Sequence, residues 1–410
     1  MTARNATPRR LVFVNRFYAP DHSATSQILS DVAEALAARG HDVTVVTSRM
    51  SYDGAAKYDR RETRAGVKVC RIWTTRFGRG STLGRAFDYL TFYFSVTLSL
   101  LFSLSKGDLL IAKTDPPMLS IPLGLIARLR GAKLVTWLQD VFPEVATELG
   151  VGSSGNILIK AIKALRDRSL KRAAMNVVIG QCMAQKVEAM GVAAHNITVI
   201  ENFVDDTAIR RRDDHAPRLR EEWGFSQADF IVGYSGNLGR AHDLDTLLDA
   251  ATMLTSTPEI KFLFVGGGFL RARLTEEIKT RGLTNIELRP YQPRERLAES
   301  LSVPNLHWAS LVPALEGYIV PSKVYGIAAA GRPLLMIGAE NGEIGRMAKT
   351  HQFGLCSAPG DAERVKAIIL DLASDAEKTT KLGKNARSFI DEHSSMKLSY
   401  ERWHDLVTRL

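Results

Sequence analysis

The strongest constraint on this chain is an alternation that runs twice. In the first half, short apolar runs fall at Leu11–Val14, 43–47, Val67–Ile72, 109–112, 134–137, 177–179 and 197–200. They are rich in Val, Ile and Leu on both faces, as strands of a parallel sheet covered on both sides must be. Between the first two lies 27–38, with Ile28, Leu29, Val32 and Leu36 on one face and Gly40 as its stop. Strand, helix, glycine, strand is a βαβ unit. The pattern restarts at 230–234, continues as a helix over 244–254 and a strand over 262–265, and repeats at 286–288, 306–308, Leu334–Ile337 and 354–356. The stretch 205–228 between the halves is charged and weakly periodic, so a linker is expected near 202–206. The expected fold is α/β: two Rossmann-like doubly wound domains facing a central cleft, with ligands at strand C-termini.

A length of 410 residues agrees with two or three domains. With 45% hydrophobic and 24% charged residues, disorder and collagen-like structure are excluded. The net charge of +10 favours an anionic partner. Cys70, Cys182 and Cys356 are scattered, which fits a reducing compartment rather than a disulfide framework. Leu11–Val14 is too short for an export signal, so a cytoplasmic protein is expected.

No charged residue occurs between Asp88 and Lys106, and Leu90, Phe92, Phe94, Val96, Leu98, Leu100 and Phe102 dominate that stretch. A buried helix and a helix dipping into one leaflet both fit it; a full crossing is not expected, because a span needs about 20 apolar residues. Basic residues crowd nearby at Arg60, Arg61, Arg64, Lys68, Arg71, Arg76, Arg79 and Arg85, with Glu62 the one acid. A second run carries Lys160, Lys163, Arg166, Arg168, Lys171 and Arg172. Beside an apolar helix such runs point to an anionic membrane surface. Nucleic acid is disfavoured, since aromatics do not interleave with the basic runs.

Two glycine-rich turns follow strands in the second half. Ser235-Gly-Asn-Leu-Gly-Arg240 clears space at Gly236 and Gly239 and supplies the donor fork of Arg240 for a diphosphate. Gly266-Gly-Gly268 could bring backbone N–H groups to phosphate or ribose, or could be a tight turn. Asp243-Leu-Asp245 has the form of a metal-binding DxD, but its place at a helix start makes capping the expected role. No metal site is expected. Trp137-Leu-Gln-Asp140-Val-Phe-Pro-Glu144 sets two carboxylates after a first-half strand, and Glu316 precedes a helix opening with Ser322 and Lys323.

Together these segments resemble the retaining glycosyltransferases of family 4, of GT-B fold, and among them the colanic-acid and exopolysaccharide type. The likeness runs along essentially the whole chain: Phe17-Tyr-Ala-Pro20 with Ser23-Ala-Thr-Ser26, Asp115-Pro-Pro117, Gln139-Asp-Val-Phe-Pro-Glu144, Tyr234-Ser-Gly-Asn-Leu-Gly239, and Pro321-Ser-Lys323 through Ala330-Gly-Arg-Pro333. The resemblance implies an acceptor domain over 1–203, a nucleotide-sugar domain over 204–390, and a C-terminal helix, 391–410, packing back on the first. It implies Ser23, Ala24, Thr25, Ser26 and Glu144 at the acceptor, and Gly236, Asn237, Gly239, Arg240, Gly268, Glu316, Ser322 and Lys323 at the donor. Asp140 and Glu316 would be catalytic. The implied reaction is metal-independent sugar transfer from a nucleotide diphosphate sugar, with no cofactor, to a polyprenyl-diphosphate-linked saccharide at the inner membrane's cytoplasmic face. A nucleotide-binding scaffold without turnover and a nucleotide-sugar epimerase share the architecture. The chain departs from the family pattern at three points: the second acid of E-x7-E falls at Gly326, and the usual Arg and Lys of the phosphate loop fall at Asn237 and His242.

Overall fold

The computed structural model describes residues 10–21, 23–52, 54, 56–78, 82–150, 156–211 and 216–410. Arg79 of the first basic run lies outside the described residues. The chain divides into two compact units, Met1–Glu201 with Ser399–Leu410, and Asn202–Leu398.

The first unit holds eight strands: β1 (Leu11–Val14), β2 (Val43–Ser48), β3 (Arg61–Arg64), β4 (Val67–Ile72), β5 (Leu109–Lys113), β6 (Lys133–Leu138), β7 (Met175–Val178) and β8 (Ile197–Val199). Their order is β3-β4-β2-β1-β5-β6-β7-β8, and every pairing is parallel except β3 with β4. The interior strands are buried on both faces, as their Val, Ile and Leu content requires. Strand β3 was not expected, because Arg-Glu-Thr-Arg has no apolar residue and all four positions are exposed. Its pairing comes from the two-residue turn Ala65-Gly66, whose φ values of 45° and 82° give the twist a tight hairpin needs.

The apolar segment forms the 22-residue helix Thr82–Ser103. Phe92, Val96 and Leu100, with Leu104 just beyond, are buried against the sheet core. Leu83–Ser103 is the one helix among the described residues long and apolar enough to cross a membrane, yet this inner face ties it to the sheet. Most of the described first basic run is exposed, but Arg71 is turned inward and two others are paired. Arg71 is buried and pairs with Glu62 at 2.7 Å, Arg64 pairs with Glu34, and Lys68 with Asp42.

The second unit is a six-stranded, wholly parallel sheet in the order β11-β10-β9-β12-β13-β14. Its strands are β9 (Phe230–Asn237), β10 (Ile260–Gly267), β11 (Ile286–Arg289), β12 (Leu306–Ser310), β13 (Leu334–Ile337) and β14 (Gly354–Ser357). Strands β9 and β10 run past their apolar cores into the glycine turns, carried by pairing of Gly266 with Gly236 and Gly267 with Asn237. The chain stays in this unit through Leu398, where Ser395 bridges Val204, and the last residues from Ser399 complete the first unit. There Trp403 is fully buried, 4.4 Å from the Trp137 ring and 6.3 Å from Phe13.

Candidate active site

In the second unit the chemistry gathers at the C-terminal ends of β9, β10 and β12. Gly236 has φ +128° and Gly268 has φ +124°, both in a region that side chains avoid. A Cβ on Gly268 would stand 2.6 Å from Leu238 backbone atoms, so glycine is required for the two turns to nest. The Leu238 N–H donates to the Gly267 carbonyl at 2.7 Å, and the Leu270 N–H to the Leu238 carbonyl at 3.0 Å.

Lys323 reaches this nest. Its ammonium donates to the Tyr234 hydroxyl and to His242 Nε2 (2.9 Å), and stands 4.1 Å from the Tyr234 ring centre. Among the described residues no carboxylate pairs with it. Burial pulls its pKa well below the ordinary lysine value. Tyr234 in turn donates to the Asn237 carbonyl at 2.7 Å, so one hydrogen-bond chain joins the lysine, the aromatic ring and the glycine turn. His242 Nδ1 lies 2.7 Å from the Ser310 carbonyl. Burial first, then the Lys323 charge, lowers the His242 pKa to about 3, so the ring is neutral at pH 7. Nδ1 therefore carries the proton toward Ser310 and leaves Nε2 to accept from Lys323. Tyr291 flanks the same turn: a Cβ on Gly267 would come within 3.1 Å of its ring.

The expected donor residues are only partly assembled. Gly236, Asn237, Gly268 and Lys323 come together. Arg240 stacks at 3.9 Å over the exposed Phe269 ring. Gly239 is half-buried, with Asn237 Nδ2 the nearest atom to its would-be Cβ, and Ser322 is exposed without a capping bond. Glu316, implied by the resemblance to meet the donor sugar, has one carboxylate oxygen engaged by the fold. Its Oε1 accepts the Glu343 N–H at 2.7 Å, at the start of the Glu343–Thr350 helix, and a Cβ on Gly342 would meet its Oε2 at 2.4 Å. An acid at a helix start is favoured by the axial dipole. Asp243 caps as expected, accepting from the Thr246 N–H at 3.1 Å, while Asp245 pairs with Arg273.

In the first unit a second cluster sits where β5 and β6 end. Asp140 lines a small pocket with Thr114, Pro117, Met118 and Phe142. The Thr114 hydroxyl binds its carboxylate, but Oδ1 is shut from solvent without a partner. Burial raises its pKa to about 7, a rise that Thr114 opposes and Asp115 reinforces. Lys113, also buried, has its pKa lowered by burial to about 7 and donates to the Thr25 carbonyl at 2.7 Å. Ser23 caps the Ala24–Ala38 helix that Ala24 opens. Ser26 is buried, its hydroxyl spent on the Asp21 carbonyl at 3.1 Å, so it is not offered to an acceptor. Nor is Glu144: Arg166 grips both its oxygens at 2.7 and 3.0 Å, and Lys163 adds a third contact at 3.1 Å. Burial alone would raise the Glu144 pKa, but these cations leave it lowered. Sequence reading passed over Lys113, an ordinary strand residue until the fold buries it, and Tyr291, a loop residue whose exposed ring lies against the Gly266–Gly267 turn.

Comparison with known proteins fits this geometry. Residues 24–202 match the glycosyl transferase 4-like domain, and residues 216–389 match glycosyl transferases group 1. WcaI of Escherichia coli K12, a glycosyl transferase assigned to colanic acid biosynthesis, is 27% identical over 86% of this chain and 89% of its own. WbjE of Pseudomonas aeruginosa, described as a glycosyltransferase, is 27% identical over 80% of each. Among solved structures, Anabaena HepE in complex with UDP is similar with a TM-score of 0.72 at 15% identity, covering 98% of this chain and all of its own. Sucrose-phosphate synthase from Thermosynechococcus elongatus gives 0.77 at 16%, covering 98% of each chain. With two family matches in sequence order spanning most of its length, and with both Rossmann-like units in place, the chain belongs to the GT-B glycosyltransferases.

Proposed function

We propose that the protein transfers a sugar, with retention at the anomeric carbon, from a nucleoside diphosphate sugar to a saccharide carried on a polyprenyl diphosphate. The proposed setting is polysaccharide assembly at the cytoplasmic face of the inner membrane. The observation that carries the donor half is Lys323: an enclosed ammonium beside the Gly236 turn with no carboxylate partner among the described residues. Such a cation is costly unless an anion completes it. A diphosphate supplies that anion. The family's phosphate-loop Lys is replaced by His242, and Lys323 brings an ammonium to His242 Nε2 from a different element.

In the reaction the bond between the anomeric carbon and the β-phosphate oxygen breaks, and a bond from the acceptor oxygen to that carbon forms. The electron pair of the broken bond leaves on the diphosphate, where Lys323 and Arg240 offset the growing charge. The acceptor's proton passes to the departing phosphate oxygen. Asp140 orients the acceptor hydroxyl. Its raised pKa leaves it part protonated near neutrality, so it can donate or accept that hydrogen bond. Because the charge is met by fixed cations, the reading includes no metal.

The support is the two-unit family match and the relatedness to WcaI. HepE in complex with UDP and with UDP-glucose makes uridine diphosphate sugars the first donors to try. The test is incubation with UDP-, GDP- and dTDP-sugars and a synthetic polyprenyl-diphosphate sugar in excess EDTA, with the product anomer read by NMR. A product of unchanged anomeric configuration supports the proposal. An inverted product, or turnover only after metal is restored, refutes the corresponding part.

A further inference from the structure

The Thr82–Ser103 helix has a second face that the sheet does not use. Leu83, Phe87, Leu90, Phe94, Leu98 and Phe102 are all exposed, Phe94 at 68% and Phe102 at 78%. At about 100° per residue their spacing confines them to an arc of about 120°. The Ser120–Arg130 helix packs beside this one and the Ile157–Arg172 helix beside that. They add exposed Leu125, Leu129, Leu158 and Leu165. At roughly 100 Å² for each largely exposed leucine or phenylalanine, such a surface approaches 1,000 Å², above the few hundred Å² a monomer usually leaves open.

Charge on these three helices has one sign at the surface. Arg85, Arg128, Arg130, Lys160, Arg168 and Arg172 are exposed. Of the two acids, Asp88 is buried on Arg16, Thr75 and the Phe77 and Gly78 N–H groups, and the half-buried Asp167 is neutralised by Arg166. Apolar side chains rimmed by cations suit a surface that is apolar within and anionic at its boundary.

We propose that this three-helix face seats the protein on an anionic lipid leaflet, with the Thr82–Ser103 helix lying in the membrane plane and its outer side chains among the acyl chains. The helix does not cross, because Phe92, Val96 and Leu100 hold its inner face in the sheet core. The inference deepens the lipid-linked acceptor reading and takes its purpose from it, while its geometry stands on these residues alone. It also moves the contact away from the Arg60–Lys68 region, whose charges are partly paired within the unit.

The test is sedimentation of the full-length protein with vesicles of phosphatidylcholine alone or with one-third phosphatidylglycerol, comparing the wild type with a Phe94→Glu, Phe102→Glu double variant. Both side chains are exposed, so the fold should tolerate the change; thermal midpoint and stabilisation by a nucleoside diphosphate are measured alongside. The expected result is wild-type binding to the anionic vesicles that weakens with salt, and at least a tenfold loss in the variant with both control readouts unchanged. Equal partition of variant and wild type would overturn the proposal, as would a wild type that stays in solution with every vesicle. A wild-type dimer that the variant makes monomeric, without vesicle binding, would assign the face to a second copy and also overturn it. Absence of nucleotide stabilisation in the wild type would fail the transferase reading without bearing on this one.

Discussion

Replacing Asp140 by Asn should stabilise the first unit while impairing transfer. The carboxylate has one oxygen shut from solvent without a partner, and burial holds its pKa at about 7, well above the ordinary 3.8 of an aspartate. The sign follows from proton binding. Below the unfolded pKa both states are protonated and nothing is lost. As pH rises from about 4 to about 7 the unfolded chain ionises and the native state does not, so stability falls, and the deficit is complete above the native pKa. At 1.36 kcal/mol per pKa unit the full deficit is about 4 kcal/mol, an upper bound since water and relaxation soften it. Asparagine removes the charge, so the variant's advantage should grow by roughly 2–3 kcal/mol between pH 5 and pH 8. For a unit of this size the whole effect corresponds to about 10 °C in Tm. Scanning calorimetry of both proteins across that range reads it directly. A stability difference that does not change with pH, or a variant less stable at pH 8 than at pH 5 relative to wild type, would refute the reasoning.

Breaking the buried pair by Glu144→Leu should cost up to about 3–5 kcal/mol in denaturant unfolding, because the buried Arg166 loses its two-oxygen partner and keeps only Asp167 and the Phe142 carbonyl, with Glu144→Leu, Arg166→Leu recovering much of it. Trp403→Ala should cost about 3–5 kcal/mol, read as a fall in the first unit's unfolding midpoint, since the ring fills the gap between Phe13 and Trp137. Gly268→Ala, strained at φ +124° and pressed on Leu238, should weaken nucleoside diphosphate binding at least tenfold by calorimetry without unfolding the first unit.

Much of the fold was legible because parallel strands need both faces apolar, and runs such as Leu109–Lys113 and Leu334–Ile337 have no other use. Arg61–Arg64 was not, since an edge strand held by a hairpin turn needs no apolar residue. At the site, glycine spacing marked the Gly236 and Gly268 turns, because positive φ leaves a compositional trace. Carboxylates leave none that separates roles. Glu144 and Glu316 read as candidate ligand contacts in sequence, yet Arg166 takes both oxygens of one, and a helix start takes a single oxygen of the other. The apolar segment 89–104 was ambiguous for a plain reason: its inner and outer faces are both apolar, so periodicity shows a helix but not what covers it.

The most direct test of the central claim is calorimetric titration of the wild type and a Lys323→Met variant with UDP, GDP and dTDP. Burial depresses the Lys323 pKa, and a bound diphosphate opposes that depression by favouring the charged form. The account predicts that one nucleotide binds the wild type and that the variant loses about 2 kcal/mol, roughly thirtyfold in affinity, for it. Equal affinity in the two proteins would contradict it.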